Sequence, residues 1–208
     1  LKQNEKKSIQ NYCISILLSS ILFLIQSCAV ESFPSKPITF NRDSSEKGLL
    51  IGSVTFPQEK AKFNGYFFRL TGNTSKEFQI KPAQISKLKH KGQIDGRKTY
   101  LFIIERPVGK YEIPSVRLFG NSGMIAMQST KYVGGFSIPY EIKKGEITYI
   151  GNINFNEYAE KGEKIITLEN KYNRDIEALK KLKPSIDWNN IIYDENIKIE
   201  YNNKKARL

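Results

Sequence analysis

The chain has 208 residues, 39% hydrophobic and 26% charged, with 33 Lys+Arg against 21 Asp+Glu and a formal charge of +12. That supports one core of ordinary size and excludes collagen-like, disulfide-stapled and intrinsically disordered classes. One His and two Cys exclude a His-rich zinc site and leave few arrangements for imidazole catalysis, so no metal, cofactor or catalytic residue is expected.

Lys2, Lys6 and Lys7 give a basic start. The run from Ile14 to Ile25 is apolar apart from Ser15, Ser19 and Ser20. As a helix at ~1.5 Å per residue it spans about 18 Å, short of the ~30 Å hydrocarbon core. Residues 1–27 therefore read as an export signal, not as a membrane span. The run ends in Ile25-Gln26-Ser27-Cys28. An aliphatic residue at −3, a small one at −1 and then Cys resembles the lipobox of bacterial lipoproteins. The resemblance implies that Cys28 carries diacylglycerol on sulfur, that cleavage precedes it, and that its new amino group is acylated. Each buried CH₂ adds ~0.8 kcal/mol, so two or three chains hold a protein durably where one does not. The plainer alternative is an ordinary thiol behind a general export signal. Cys13 lies inside the signal, so a lipidated chain keeps no free thiol and no disulfide. Ala29 lacks the acidic character of an inner-membrane retention signal, which favours the outer membrane. Residues 28–47, with Pro34 and Pro37, read as a lipidated flexible tether.

From Gly48 the apolar residues alternate: Leu50, Val54 and Phe56; Tyr66, Phe68 and Leu70; Phe136, Ile138, Tyr140 and Ile142; Ile147, Tyr149, Ile153 and Phe155. Period two places one face on a core and the other in water, as antiparallel sheets do. Lys143-Lys144-Gly145 reads as a hairpin loop in which Gly takes positive φ. Gly134-Gly135 reads as a flexible turn. The continuously apolar Tyr100–Ile104 segment predicts a central strand. Around Pro114 the parity breaks, which predicts a bulge or an edge. Ile165–Leu168 gives a last strand. The fold expected over 48–171 is mainly β: an antiparallel two-sheet sandwich of about eight strands, transthyretin-like or Ig-like, plus one short C-terminal helix.

That helix belongs to a docked segment, 172–188. Asn173 or Asp175 is expected to cap it, Ile176, Leu179 and Leu182 to form its apolar side, and Pro184 to stop it. Residues 189–208 form a polar basic tail with a strand-like patch at Ile191–Tyr193. Arg106-Pro107-Val108-Gly109-Lys110-Tyr111 is similar to the Pro-x-Gly-x-Tyr turn of transthyretin-like and carboxypeptidase-regulatory-like sandwiches. Gly145-Glu146-Ile147-Thr148-Tyr149-Ile150-Gly151 looks like a strand of bacterial lipoproteins with such domains. The resemblance implies that fold and no particular chemistry.

His90 lies in Lys87-Leu88-Lys89-His90-Lys91, where a surface loop is expected. Gly120-Asn121-Ser122-Gly123 lacks the spacing of a nucleophile elbow. Glu157 with Glu160, or Asp187 with Asp194, are acid pairs on paper only. Lys87, Lys89, Lys91, Arg97 and Lys98 form a basic cluster suited to anionic lipid or glycan, and export argues against nucleic acid. The function expected is a non-enzymatic envelope lipoprotein with a binding or structural role. The alternatives are an envelope hydrolase acting on glycan or peptide and an accessory subunit of an envelope complex.

Overall fold

A computed structural model describes residues 38, 40, 42–43, 46–84, 88–121, 128–189 and 191–202. The chain divides into residues 1–30 and 31–208, and all described residues belong to the second unit. Cys28 and Lys87 lie outside the described residues.

The fold is mainly β. In chain order the described strands are β1 (Lys47–Thr55), β2 (Gly65–Gly72), β3 (Lys76–Ile80), β4 (Ala83–Gln84), β5 (Leu88–Lys89), β6 (Thr99–Pro107), β7 (Gly109–Asn121), β8 (Gln128–Val133), β9 (Phe136–Ile142), β10 (Ile147–Phe155) and β11 (Ile166–Glu169). Helix α1 (Tyr172–Leu182) follows, then β12 (Ile191–Tyr193) and β13 (Glu200–Tyr201). A five-stranded sheet runs β11-β10-β1-β6, with β12 also on β10. A six-stranded sheet runs β13-β9-β7-β2-β3, with β8 also on β7. The sheets share one apolar core, in which Leu50, Val54, Phe102, Ile153 and Phe155 from the first meet Tyr66, Phe68, Leu118, Phe136 and Ile138 from the second. The five-stranded sheet carries a second core on its other face, where Leu49, Ile51, Leu101, Ile103, Ile147 and Tyr149 meet Phe40, Ile176, Leu179 and Ile186.

This third layer corrects several expectations. The five-stranded sheet is buried on both faces, so β1 has no water-facing side. The sheet is also mixed, because β10 runs parallel to β1 and to β12. In β10 the alternation flips halfway. Opposite the single Gly52, β10 inserts both Ile150 and Gly151, with Gly151 at φ +101°. That bulge turns Ile147 and Tyr149 toward the helix but Ile153 and Phe155 toward the other sheet, although all four share sequence parity. The apolar run in β6 reflects burial on two faces, not a central place: among the described strands β6 pairs with β1 and ends its sheet. Its outer edge is covered at the start by Gln93, ahead of the turn that leads into the strand: Gln93 N donates to Thr99 O at 2.8 Å, and Gln93 Oε1 accepts from Leu101 N at 2.9 Å.

Lys143-Lys144-Gly145 is not a hairpin. It is a corner that carries the chain from β9 in one sheet to β10 in the other. Gly145 does take positive φ (+68°), and a Cβ there would sit 2.6 Å from the Arg42 carbonyl oxygen. Pro114 lies in the central strand β7, so the bulge is observed and the edge is not. Against β2, Ile113 and Pro114 oppose the single Leu70. On the other side Gly134-Gly135 is no turn but an insertion between β8 and β9, which together run along β7. Pro has no N–H to offer there, so the ladder is interrupted where a donor is missing.

Ordered packing begins ahead of β1: Phe40 is buried, and Arg42 donates to Gly145 O at 3.1 Å and to Asn189 O at 2.6 Å. Neither Asn173 nor Asp175 caps α1. Asn170 Oδ1 accepts from Tyr172 N at 3.0 Å instead, and Asp175 lies buried in the first turn. Ile176 and Leu179 pack inward, whereas Leu182 is 36% exposed. The last described stretch is a strap rather than a frayed tail. It pairs with β10 as β12, crosses the open side of the sandwich with Ile197 and Ile199 against the core, and pairs with β9 as β13. Tyr201 Oη donates to Ile166 O at 2.7 Å, and Asn202 N to Gly135 O at 3.1 Å.

Candidate functional site

Two buried polar networks and one cleft gather the polar chemistry of the described residues. The first network seals one end of the inter-sheet core. His90 is 1% exposed and Glu157 is fully buried, which overturns the surface-loop reading of His90. The segment stays extended past β5, so Lys89 and Lys91 point outward while His90 points inward. His90 N donates to Glu59 O at 2.8 Å, and the imidazole stacks on Phe56 with ring centres 3.8 Å apart. Glu157 accepts from His90 Nε2 at 2.9 Å, from Lys62 N at 2.8 Å and from the Tyr66 hydroxyl. His90 Nδ1 lies 3.4 Å from Tyr100 Oη, and that oxygen accepts from Lys91 N at 2.6 Å. Burial, reinforced by the charge of Glu157, holds the Tyr66 phenol far above its ordinary value. Tyr100 is pushed up to about 12, by burial first.

The second network pins α1 to the five-stranded sheet. Asp175, fully buried, accepts from Tyr149 Oη at 2.8 Å, from Ser53 Oγ at 2.6 Å and from Arg174 Nε at 2.9 Å. Arg174 also reaches Asn152 Oδ1 at 3.1 Å and Asp95 at 2.6 Å. Asp95 accepts from Thr99 Oγ1 at 2.8 Å and sits at φ +53° in a turn that continues with Arg97 at φ +69°. Burial and the Asp175 charge raise the Tyr149 phenol well above its ordinary value.

The cleft, of about 380 Å³, lies where β10 changes neighbours. Strand β12 leaves after Tyr149↔Tyr193, and β11 joins at Asn152↔Glu169. Neither ladder on this edge includes Ile150 or Gly151, and the strap roofs the gap. A Cβ on Gly151 would come within 3.1 Å of Glu169 O and 3.2 Å of Leu168 Cδ1, so glycine keeps the fork open. A shallower hollow of about 650 Å³ lies beside the Gly145 corner, with Arg42, Asp187 and Glu146 around it.

The basic cluster comes out partly neutralised. Lys89 Nζ pairs with Glu59 at 2.9 Å, and that hydrogen bond and charge, with a smaller share from Arg97, hold the Glu59 carboxyl below its ordinary value. Lys91 and Arg97 are exposed, while Lys98 is half-buried. The acid pairs read from the sequence do not meet as pairs. Glu157 serves His90, Glu160 is exposed, Asp187 faces Arg42 at 3.8 Å, and Asp194 accepts from Asn196 N at 2.9 Å. Sequence reasoning missed the Ser53–Asn152–Asp175 group. The signal available was polar residues at Ser53, Thr55, Thr99 and Asn152 interrupting apolar strands.

No known family model matches this chain, and no curated protein matches it. Among solved structures it resembles a leucine-rich repeat protein from Bacteroides thetaiotaomicron, at 14% identity and a TM-score of 0.31. The match covers 67% of this chain and spans 16% of the other.

Proposed function

We propose that this chain is a lipid-anchored protein of the bacterial cell envelope, at the outer membrane, in which acylated Cys28 is the anchor and a transthyretin-like sandwich binds or supports without catalysis. The observation that carries the reading is the Ile25-Gln26-Ser27-Cys28 box directly behind a basic start and a short apolar run. Two features of the fold support it. The Arg106–Tyr111 segment carries the chain from β6 in one sheet to β7 in the other, with Tyr111 Oη donating back to Pro107 O at 3.0 Å. The polar networks are also occupied in holding elements together: His90 and Asp175 each spend their hydrogen-bonding capacity inside the core. Metabolic labelling with a fatty-acid analogue tests the anchor. Wild type incorporates the label and Cys28→Ala does not; equal labelling of both, or of neither, overturns it.

A further inference from the structure

We infer that the cleft at the β10 fork is a binding site for an acidic sugar unit. The inference gives the binding role proposed above a place and a ligand class, and it does not depend on the anchor. Sheet forks of this kind leave a concavity with main-chain groups at its floor, the setting in which small polar ligands are held.

The chemistry of the walls narrows the ligand. Ile150, Leu168 and Ile197 give an apolar floor, and Tyr193 and Tyr201 stand on the strap side. Aromatic faces beside aliphatic surface suit the C–H face of a pyranose, and phenols are amphipathic partners for its hydroxyls. The break in the ladders at Ile150–Gly151 gives the cleft its depth between β11 and β12. Lys164 and Lys198 line the cleft, and among the described residues neither forms an ion pair. Lys164 Nζ stands 5.7 Å from the centre of the Tyr201 ring, on the wall itself. Of the two acids present, Glu169 is paired with Lys171 at 3.3 Å, which leaves Glu195 against two free ammonium groups. The local excess is positive, so a carboxylate on the sugar is favoured over a neutral one. A volume near 380 Å³ admits one or two sugar rings and no folded partner.

The test is calorimetric titration of the full chain in detergent micelles, where it is soluble with or without acylation. The probes are a uronic-acid disaccharide and its neutral counterpart. Wild type is expected to bind the uronate at least tenfold more tightly than the neutral sugar. The exposed double substitution Lys164→Gln/Lys198→Gln should erase that preference, and Lys89→Gln/Lys91→Gln on the basic loop should leave it intact. Removing a charge-assisted contact is expected to weaken binding about tenfold. Folding of each variant is checked by circular dichroism. Absence of uronate binding by folded wild type, unchanged preference in the cleft variant, or loss in the loop variant alone overturns the site. Because the labelling of Cys28 is read separately, a cleft without affinity leaves the anchor standing, and an unlabelled Cys28 leaves the cleft standing.

Discussion

Glu157 accepts three hydrogen bonds where no solvent reaches it, and the donors come from two stretches of chain: Lys62 and Tyr66 from one, His90 from the other. A buried carboxylate is tolerable only with such company. None of this is visible in the local sequence, because His90 sits between two lysines and a string of cations reads as surface. The extended backbone separates them by side, and that depends on the bridge between Lys60 and Lys89, in which His90 N donates to Glu59 O and Ala61 N to Leu88 O. The tyrosines around these networks carry a pH consequence. Tyr66, Tyr100, Tyr140 and Tyr149 are all held above the ordinary phenol value, by burial first. In the unfolded chain they release protons near pH 10, while the native state keeps them. Their contribution is therefore complete below about pH 10 and falls as pH rises; for Tyr100 the loss runs from 10 to about 12. By pH 11 each should have removed about 1.4 kcal/mol. Urea unfolding at pH 8 and pH 11, with near-ultraviolet absorbance following phenolate, checks this. Native protein in which all eleven tyrosines form phenolate near pH 10 contradicts it.

At the scale of elements, alternation located most strands correctly and failed where an inserted residue shifts the phase. The parity break around Pro114 was readable because the apolar residues on both sides of it change register in sequence. The Gly151 flip was not, since Ile147 and Ile153 keep one parity while facing opposite cores. The helix and its docking were readable from the spacing, but the polar pin that fixes it was not. Eleven residues make a marginal helix in isolation, and what holds α1 is Asp175 in the sheet's polar notch together with Ile176 and Leu179. Asp175→Ala would leave Tyr149 Oη and Ser53 Oγ without their acceptor and Arg174 without its buried partner. The expected loss is about 3–5 kcal/mol. Hydrogen exchange should localise the added opening to residues 172–182; uniform protection across that range would contradict the pinning role.

At the scale of the molecule, the sequence pointed to two layers and the structure has three. A sheet covered on both faces reads as continuous apolar strands, which is what β1 and β6 show, and the cover comes from the helical segment that was expected to dock on the sandwich. The strap was the least readable part. Ile191–Tyr193 looks like a strand, but its partner lies in one sheet and the partner of Glu200–Tyr201 in the other. Ending the chain after Tyr193 should uncover the core beneath Ile197 and Ile199. The variant is expected to bind a hydrophobic dye and to melt several degrees lower, about 4 °C for each kcal/mol lost. An unchanged melt would reduce the strap to ornament.

The parallel pairing of β1 with β10 also constrains the order of events during synthesis. Leu49 must wait for Ile147, about a hundred residues later, before its ladder can close, and the clasp that follows β12 comes later still. Strand β1 can meet β6 early, but its other edge stays unpaired until β10 emerges. The five-stranded sheet thus stays a two-stranded ribbon until β10 has been made.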